Sequence, residues 1–230
     1  MRDLSREEIE NSDSGIFSSL DNENNLLVSF GGIWQGMGIP VYEFFNTIKN
    51  VECDKMFLRD LNQTWYNRGV DKKIKSSEEL TNYLERSISQ NGYKKVTFLG
   101  NSMGGYAAIM FGTRLKVDNV LSFAPQTFID RWRRLLYFDR RWKDRMKVIY
   151  RTKEGNEELV DLKKLLMNTD GIKTNIDIYY SPKHRLDKIH AERLKETENV
   201  NLIPIESGGH GVVKTLRDRG VLKKIIEEKF

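Results

Sequence analysis

The sequence contains a single cysteine, Cys53, so no disulfide can form within the chain and no thiolate cluster can hold zinc. Proline is scarce, at 4 residues, with 17 glycines, a balance that excludes collagen-like and low-complexity chains. No apolar run approaches the roughly 18 residues that a membrane-crossing helix needs. The opening MRDLSREEIE is charged where a secretory leader requires an apolar core. A reducing, cytoplasmic setting is therefore expected. An excess of one charge sign is also missing, because 38 Lys and Arg face 33 Asp and Glu for a net charge of +5. That balance describes a solvated surface of mixed sign, and no specific nucleic-acid partner is expected. Histidine is limited to 3 residues, so any histidine-dependent chemistry has few candidates.

What the chain does have is alternation. After a polar lead-in over residues 1–25, Leu26-Leu27-Val28-Ser29-Phe30 stops at Gly31-Gly32. A short apolar run cut by glycine reads as a buried strand. Pro40 opens a helical pattern through Val41, Phe44, Phe45 and Ile48. Further strands are expected at Met56–Leu58, Val96–Leu99, Val117–Phe123, Ile176–Tyr180 and Val200–Ile205. Helices are expected from Ser76, over Met103–Phe111, over Ile189–Leu194 and over Val212–Ile226. Six strands alternating with helices predict a single α/β domain, with a mostly parallel sheet and helices on both faces. Residues 126–175 exceed what a simple crossover needs and read as a helical insertion over one end of the sheet.

The most informative segment is Val96-Thr97-Phe98-Leu99-Gly100-Asn101-Ser102-Met103-Gly104-Gly105-Tyr106. It is a G-x-S-x-G pattern between an expected strand and an expected helix. A serine on so sharp a turn is forced into a strained backbone, and Gly100 and Gly104 remove the clash. Its hydroxyl projects above the sheet, and the helix N-terminus supplies partial positive charge for an oxyanion. The plain alternative is a tight turn without chemistry. With GNSMGGYAA at its centre, the chain from Leu26 onward resembles the serine hydrolases of the α/β-hydrolase fold.

The resemblance implies a triad in the order nucleophile, acid, histidine. His210, in a glycine-rich loop after the last expected strand, stands where that pattern puts the general base. His190 reads as a structural histidine on a helix, and His184 flanks the same connection. Asp187, seven residues beyond Tyr180, is the implied acid, although an aspartate there also suits a helix N-cap. Glu206 and Asp177 are the reserves, the latter reading as a lateral strand contact. By the same resemblance the oxyanion hole takes one N–H from Met103 and a second from the Gly31-Gly32-Ile33-Trp34 loop, with Gly32 and Ile33 both open. No metal or organic cofactor is called for, and no phosphate-binding G-x-x-x-x-G-K-[ST] pattern is present.

Loops at the C-terminal ends of parallel strands face the site, so Trp34, Trp65 and Tyr66 are candidate substrate contacts. The 131–147 segment carries eight Lys or Arg against two Asp. It is expected to act as a lid favouring a small-molecule ester or acyl substrate that is anionic or polar, with Arg133, Arg134, Arg140 and Arg141 setting a preference for anionic esters. Its plainer reading is a charged helix with Trp132, Leu135, Leu136 and Phe138 packed underneath. The function expected is hydrolysis of an ester or thioester through an acyl-enzyme. The alternatives are an acyltransferase with the same triad, or a non-catalytic binding module with a basic, aromatic surface.

Overall fold

The computed structural model describes residues 13–21, 23–33, 44–151, 159–206 and 209–230. In chain order the elements are β1 (Ile16–Ser19), β2 (Asn25–Phe30), α1 (Phe45–Ile48), β3 (Asp54–Leu58), α2 (Ser77–Asn91), β4 (Lys95–Asn101) and α3 (Met103–Leu115). There follow β5 (Asn119–Phe123), α4 (Arg131–Leu136), α5 (Lys143–Arg151), α6 (Leu162–Asn168), β6 (Asn175–Tyr180), α7 (Arg185–Glu192), β7 (Val200–Pro204), α8 (Val212–Asp218) and α9 (Leu222–Glu227). The strands form one sheet in the order β1-β3-β2-β4-β5-β6-β7. All pairings are parallel except that of β1 with β3.

Successive strand residues point to opposite faces, and both faces are covered. Leu26, Val28, Phe30, Phe98, Val120 and Ile178 pack into one core beneath α2 and α3. Leu27, Phe57, Leu99, Leu121 and Tyr179 pack into a second core with α1, α8 and α9. Burial on both sides is why these strands read as near-continuous apolar runs. The helix after the elbow is buried at every position from Met103 to Thr113, which accounts for its run of Ala, Met and Gly.

Among the described residues the sheet has seven strands where six were expected. The added strand, β1, lies in the lead-in read as loosely packed, with Ile16 opposite Leu58 at the sheet edge. Only two of its four residues are large and apolar and all four are half-buried, so its periodicity is too short to register. The closing helix is two helices, because the chain turns through Gly220 at φ 71° and Val221 N–H donates to Leu216. The strand expected from Val117 starts at Asn119, since Lys116 ends α3 in the left-handed region and Val117 N–H donates back to Gly112. Pro40 and Val41, where a helix was expected to open, lie outside the described residues. Within 126–175 the described residues form α4, α5 and α6.

The register brings the strand ends level. Phe30 lies opposite Gly100, Gly100 opposite Ser122, and Ser122 opposite Ile178. Two close approaches then seat α3 on that edge. A Cβ at Gly100 would come 2.1 Å from the Gly104 carbonyl oxygen, and one at Gly104 would come 2.1 Å from that of Phe30. In urea titrations Gly104→Ala should therefore cost about 3 kcal/mol or more, because backbone must move to admit the methyl group. Gly220→Ala, where nothing lies within 4 Å of the added atom, should cost only about 1 kcal/mol from its positive φ.

Candidate active site

Ser102 stands between β4 and α3 with φ 54° and ψ −112°, a region that non-glycine residues seldom occupy. The turn is held on both sides. Ser102 N–H donates to the Phe123 carbonyl at 2.8 Å, and Tyr106 N–H donates to the Ser102 carbonyl at 3.0 Å. Phe123 ends β5, so the strained residue is pinned to the neighbouring strand. Ala124, also strained at φ 43°, donates in turn to Tyr179 of β6 at 2.8 Å.

His210 meets this serine. Its Nε2 lies 3.2 Å from Ser102 Oγ, and its Nδ1 lies 2.9 Å from both carboxylate oxygens of Asp187. A carboxylate accepts only, so Nδ1 carries the proton and Nε2 presents its lone pair to the hydroxyl. The three side chains meet although His210 and Ser102 are 108 positions apart in sequence. Asp187 lies inside the first turn of α7, and the N-cap position is occupied by His184, so the N-cap alternative for Asp187 does not hold.

The reserve acids are engaged elsewhere. Asp177 pairs with Lys229 at 2.6 Å and accepts from Asn201 at 2.9 Å. Glu206 pairs with Lys183 at 2.8 Å on the exposed surface.

Asp187 is more heavily supported than its sequence position suggested. Its side chain is fully buried, and it receives three groups from three different segments. Besides His210 these are Arg141 of the insertion, 3.3 Å away, and His184 Nδ1, 3.0 Å away. His184 Nδ1 also lies 3.3 Å from the Asp187 amide. One nitrogen cannot donate to the carboxylate and accept from the amide together, and the shorter contact favours donation. Burial pushes the Asp187 carboxyl up, but hydrogen bonding from His210 and the charges of His210, His184 and Arg141 outweigh it and hold it below the usual carboxylate range.

A second buried cluster stands behind the first. Arg141 grips Asp139 through Nε at 3.0 Å and Nη2 at 2.8 Å, and Asp139 lies 3.3 Å from His190 Nε2. His190 Nδ1 accepts from Thr127 N–H at 3.0 Å, so the proton resides on Nε2 and is donated to Asp139. Burial outweighs this carboxylate and pushes His190 down to about 4. Residue spacing alone hid the cluster, since His190 lies 51 positions from Asp139, on α7, whereas Asp139 and Arg141 belong to the insertion. The single available cue was a histidine three residues from Asp187 on one helix face.

The oxyanion side is less complete. Met103 opens α3, and its N–H is among those that no helix satisfies internally. The absent Cβ of Gly104 lets the end of β2 and Gly31 approach this helix start, with Gly31 3.1 Å from the position that Cβ would take. Gly32 and Ile33 follow directly, both half-buried; Trp34 lies outside the described residues.

Trp65 and Tyr66 correct the expectation that they touch substrate, because both are fully buried. Tyr66 Oη donates to the carbonyls of Gly31 at 2.9 Å and Leu58 at 3.1 Å, and Trp65 Nε1 donates to Gln126 at 2.6 Å. Both sit at positive φ, 56° and 59°, in a loop organised by Asp60, which accepts the amides of Asn62, Thr64 and Tyr66. Their work is to hold the Gly31 loop from within.

The insertion also differs from expectation. Arg133 pairs with Asp130 and Asp161, Arg134 with Asp139, and Arg141 with Asp139 and Asp187. Of the four arginines expected to meet substrate, only Arg140 makes no ion pair among the described residues. Trp132, Leu135, Leu136 and Phe138, expected underneath, are exposed instead.

No protein-family model and no curated protein sequence matches the chain. Solved structures do superpose on it. The capsule O-acetyltransferase of Neisseria meningitidis serogroup A is 17% identical, covers 93% of this chain and 90% of its own, and gives a TM-score of 0.70. A histidine-to-alanine mutant of that enzyme has been solved in complex with CoA, at TM-score 0.65 and 16% identity, over 92% of this chain and 90% of its own. The fluorophosphonate-binding serine hydrolase FphF of Staphylococcus aureus gives 0.59 at 16% identity, over 94% of this chain and 85% of its own. The chain has the α/β-hydrolase fold, shared by serine hydrolases and an O-acetyltransferase.

Protonation of His190 provides a test of the second cluster. Its imidazole takes up a proton near the ordinary value of 6.5 in the unfolded chain and only at about 4 in the folded one. Its contribution is thus whole above 6.5 and fades as pH falls towards 4, a difference of about 3 kcal/mol. Urea-derived stability should drop across that window, and His190→Gln should flatten the drop. The depressed carboxyls of Asp139 and Asp187 act below it, so the two effects separate.

Proposed function

We propose that the chain catalyses acyl transfer through a covalent intermediate on Ser102. The observation that carries this reading is the unbroken relay from Ser102 Oγ to His210 Nε2 at 3.2 Å, and from His210 Nδ1 to Asp187 at 2.9 Å. In the first half-reaction the Oγ–carbonyl bond forms as the hydroxyl proton passes to Nε2. The tetrahedral anion is held by the Met103 amide and by one from Gly32 or Ile33. Collapse of that anion breaks the bond to the leaving group, which departs with the proton from Nε2. In the second half an incoming hydroxyl compound gives its proton to His210 Nε2 and attacks the acyl carbon; the Oγ–acyl bond then breaks and Ser102 takes the proton back from Nε2. Asp187 stays ionised throughout and keeps the proton on Nδ1.

With water as acceptor the enzyme is an ester or thioester hydrolase, the reading favoured by the sequence pattern. With an alcohol as acceptor it is an O-acyltransferase. The superposition with a capsule O-acetyltransferase, and the CoA complex of that enzyme, favour a CoA thioester as one donor to test. The insertion over residues 126–175 is proposed as the cover of the site, since Arg141 ties it to Asp187.

Wild-type protein should hydrolyse a short p-nitrophenyl ester and be labelled by a fluorophosphonate. Ser102→Ala should lose both, by about 1,000-fold or more in kcat. Release of free CoA from acetyl-CoA, measured with and without sugar alcohols, distinguishes transferase from hydrolase. Absence of labelling and of turnover across an acyl-length series would falsify covalent catalysis and leave a binding module. Arg141→Gln should lower kcat by about tenfold to a hundredfold, with KM for a small neutral ester little changed. Its guanidinium is engaged by Asp139 and Asp187 and positions the latter.

A further inference from the structure

The helix α4 is amphipathic in the inverted sense. Trp132, Leu135 and Leu136 occupy positions i, i+3 and i+4, one face of the helix, and they are 82%, 67% and 67% exposed. Phe138, just beyond the helix end, is 69% exposed. The buried residue of this helix is Arg134, whose guanidinium lies 3.7 Å from Asp139 and donates to the Arg141 carbonyl. Scattered single apolar residues on a surface call for no explanation, but four large ones gathered within seven positions do. In the same stretch of chain Arg131, Arg140, Lys143 and Arg145 are exposed, and the exposed Asp144 among them pairs with Lys147. Arg131 lies 4.7 Å above the Tyr150 ring, and neither Arg140 nor Arg145 forms an ion pair among the described residues.

We propose that this face docks the protein on an anionic lipid surface, with the α4 stripe entering the headgroup boundary and the flanking cations meeting lipid phosphates. Tryptophan and phenylalanine seat at such boundaries, leucines enter the acyl layer, and basic residues hold anionic headgroups. The chemistry disfavours the other occupants. A second copy packed face to face would bring two surfaces of the same positive sign together, which is repulsive. A glycan chain would stack on the aromatic rings and gain little from Leu135 and Leu136. No helix among the described residues is long and apolar enough to cross a membrane, and this mode of attachment needs none. The same insertion reaches the candidate active site through Arg141 and Asp187, and Arg185 donates to the Tyr137 carbonyl at 2.8 Å. Docking would hold that site close to the lipid surface.

The inference does not rest on acyl transfer, and binding is measured separately from turnover. Full-length protein is mixed with phosphatidylcholine vesicles, with and without phosphatidylglycerol, and bound protein is recovered by flotation. Wild type should bind the anionic vesicles and not the zwitterionic ones. Added salt should weaken that binding, and a blue shift in tryptophan emission should accompany it, absent from Trp132→Phe. The triple variant Trp132→Ser, Leu135→Ser, Phe138→Ser should bind on the order of tenfold more weakly. Its melting temperature, and any hydrolysis of a water-soluble ester, should be unchanged. The variant Arg131→Gln, Arg140→Gln, Arg145→Gln should lose the preference for anionic lipid. Vesicle binding that survives the serine variant, or equal binding to both vesicle types, overturns the proposal. So does wild type that is dimeric by light scattering, becomes monomeric in the serine variant and ignores vesicles. Retention of wild type by an acidic polysaccharide column, without vesicle binding, overturns it as well.

Discussion

The buried negative charge of Asp187 is the constraint around which the rest is arranged. Moving a carboxylate out of water costs several kcal/mol, and only good geometry and several donors offset it. Here the donors come from three places: His210 beyond β7, His184 at the start of α7, and Arg141 in the insertion. Because no two belong to the same segment, satisfying one carboxylate also fixes how the final loop, the helix and the insertion sit together. Removing a partner from such a group typically costs about 3–5 kcal/mol, since the charge left behind stays buried. Arg141 then passes the requirement on, because its grip on Asp139 sets up the contact with His190.

On the other side of Ser102 the constraint is steric. Gly104 lets the backbone of β2 come within a distance that no side chain permits, and this brings the Gly31–Ile33 loop to the start of α3. The loop is fixed from beneath by Tyr66, whose hydroxyl satisfies the Gly31 carbonyl. Tyr66 is in turn held at positive φ by a loop whose amides converge on Asp60. A buried aspartate thus organises each side of the serine, one through charged partners and the other through backbone amides.

These differences explain what could be read from sequence. The parallel strands were legible because burial on both faces leaves uninterrupted apolar runs, and the elbow was legible because a strained serine needs glycines at fixed offsets. Asp187 and His210 were reachable only through the order implied by the fold resemblance; nothing local to either residue distinguishes a buried partner from a surface one. The four-residue strand at Ile16–Ser19 is too short and too exposed for its period to stand out. Trp65 and Tyr66 were misjudged because aromatic residues in a loop beyond a strand resemble substrate contacts. Only their depth shows them to be internal supports.

The insertion was misjudged for a related reason, and its inversion follows from the site. In an ordinary amphipathic helix the apolar stripe turns inward, because burying four such side chains is worth several kcal/mol. In α4 the inward place is taken by Arg134, close to Asp139. Turned the other way, α4 would bury its stripe but withdraw the Arg134 guanidinium from Asp139 and from the Arg141 carbonyl, which costs the buried site one of its cations and a donor. The helix therefore resolves the conflict in favour of charge and leaves Trp132, Leu135 and Leu136 facing outward. The electrostatics that hold Asp187 in place and the apolar face on the surface are two results of one choice of helix orientation. A surface formed in this way persists only where something apolar covers it or where its exposure is tolerated.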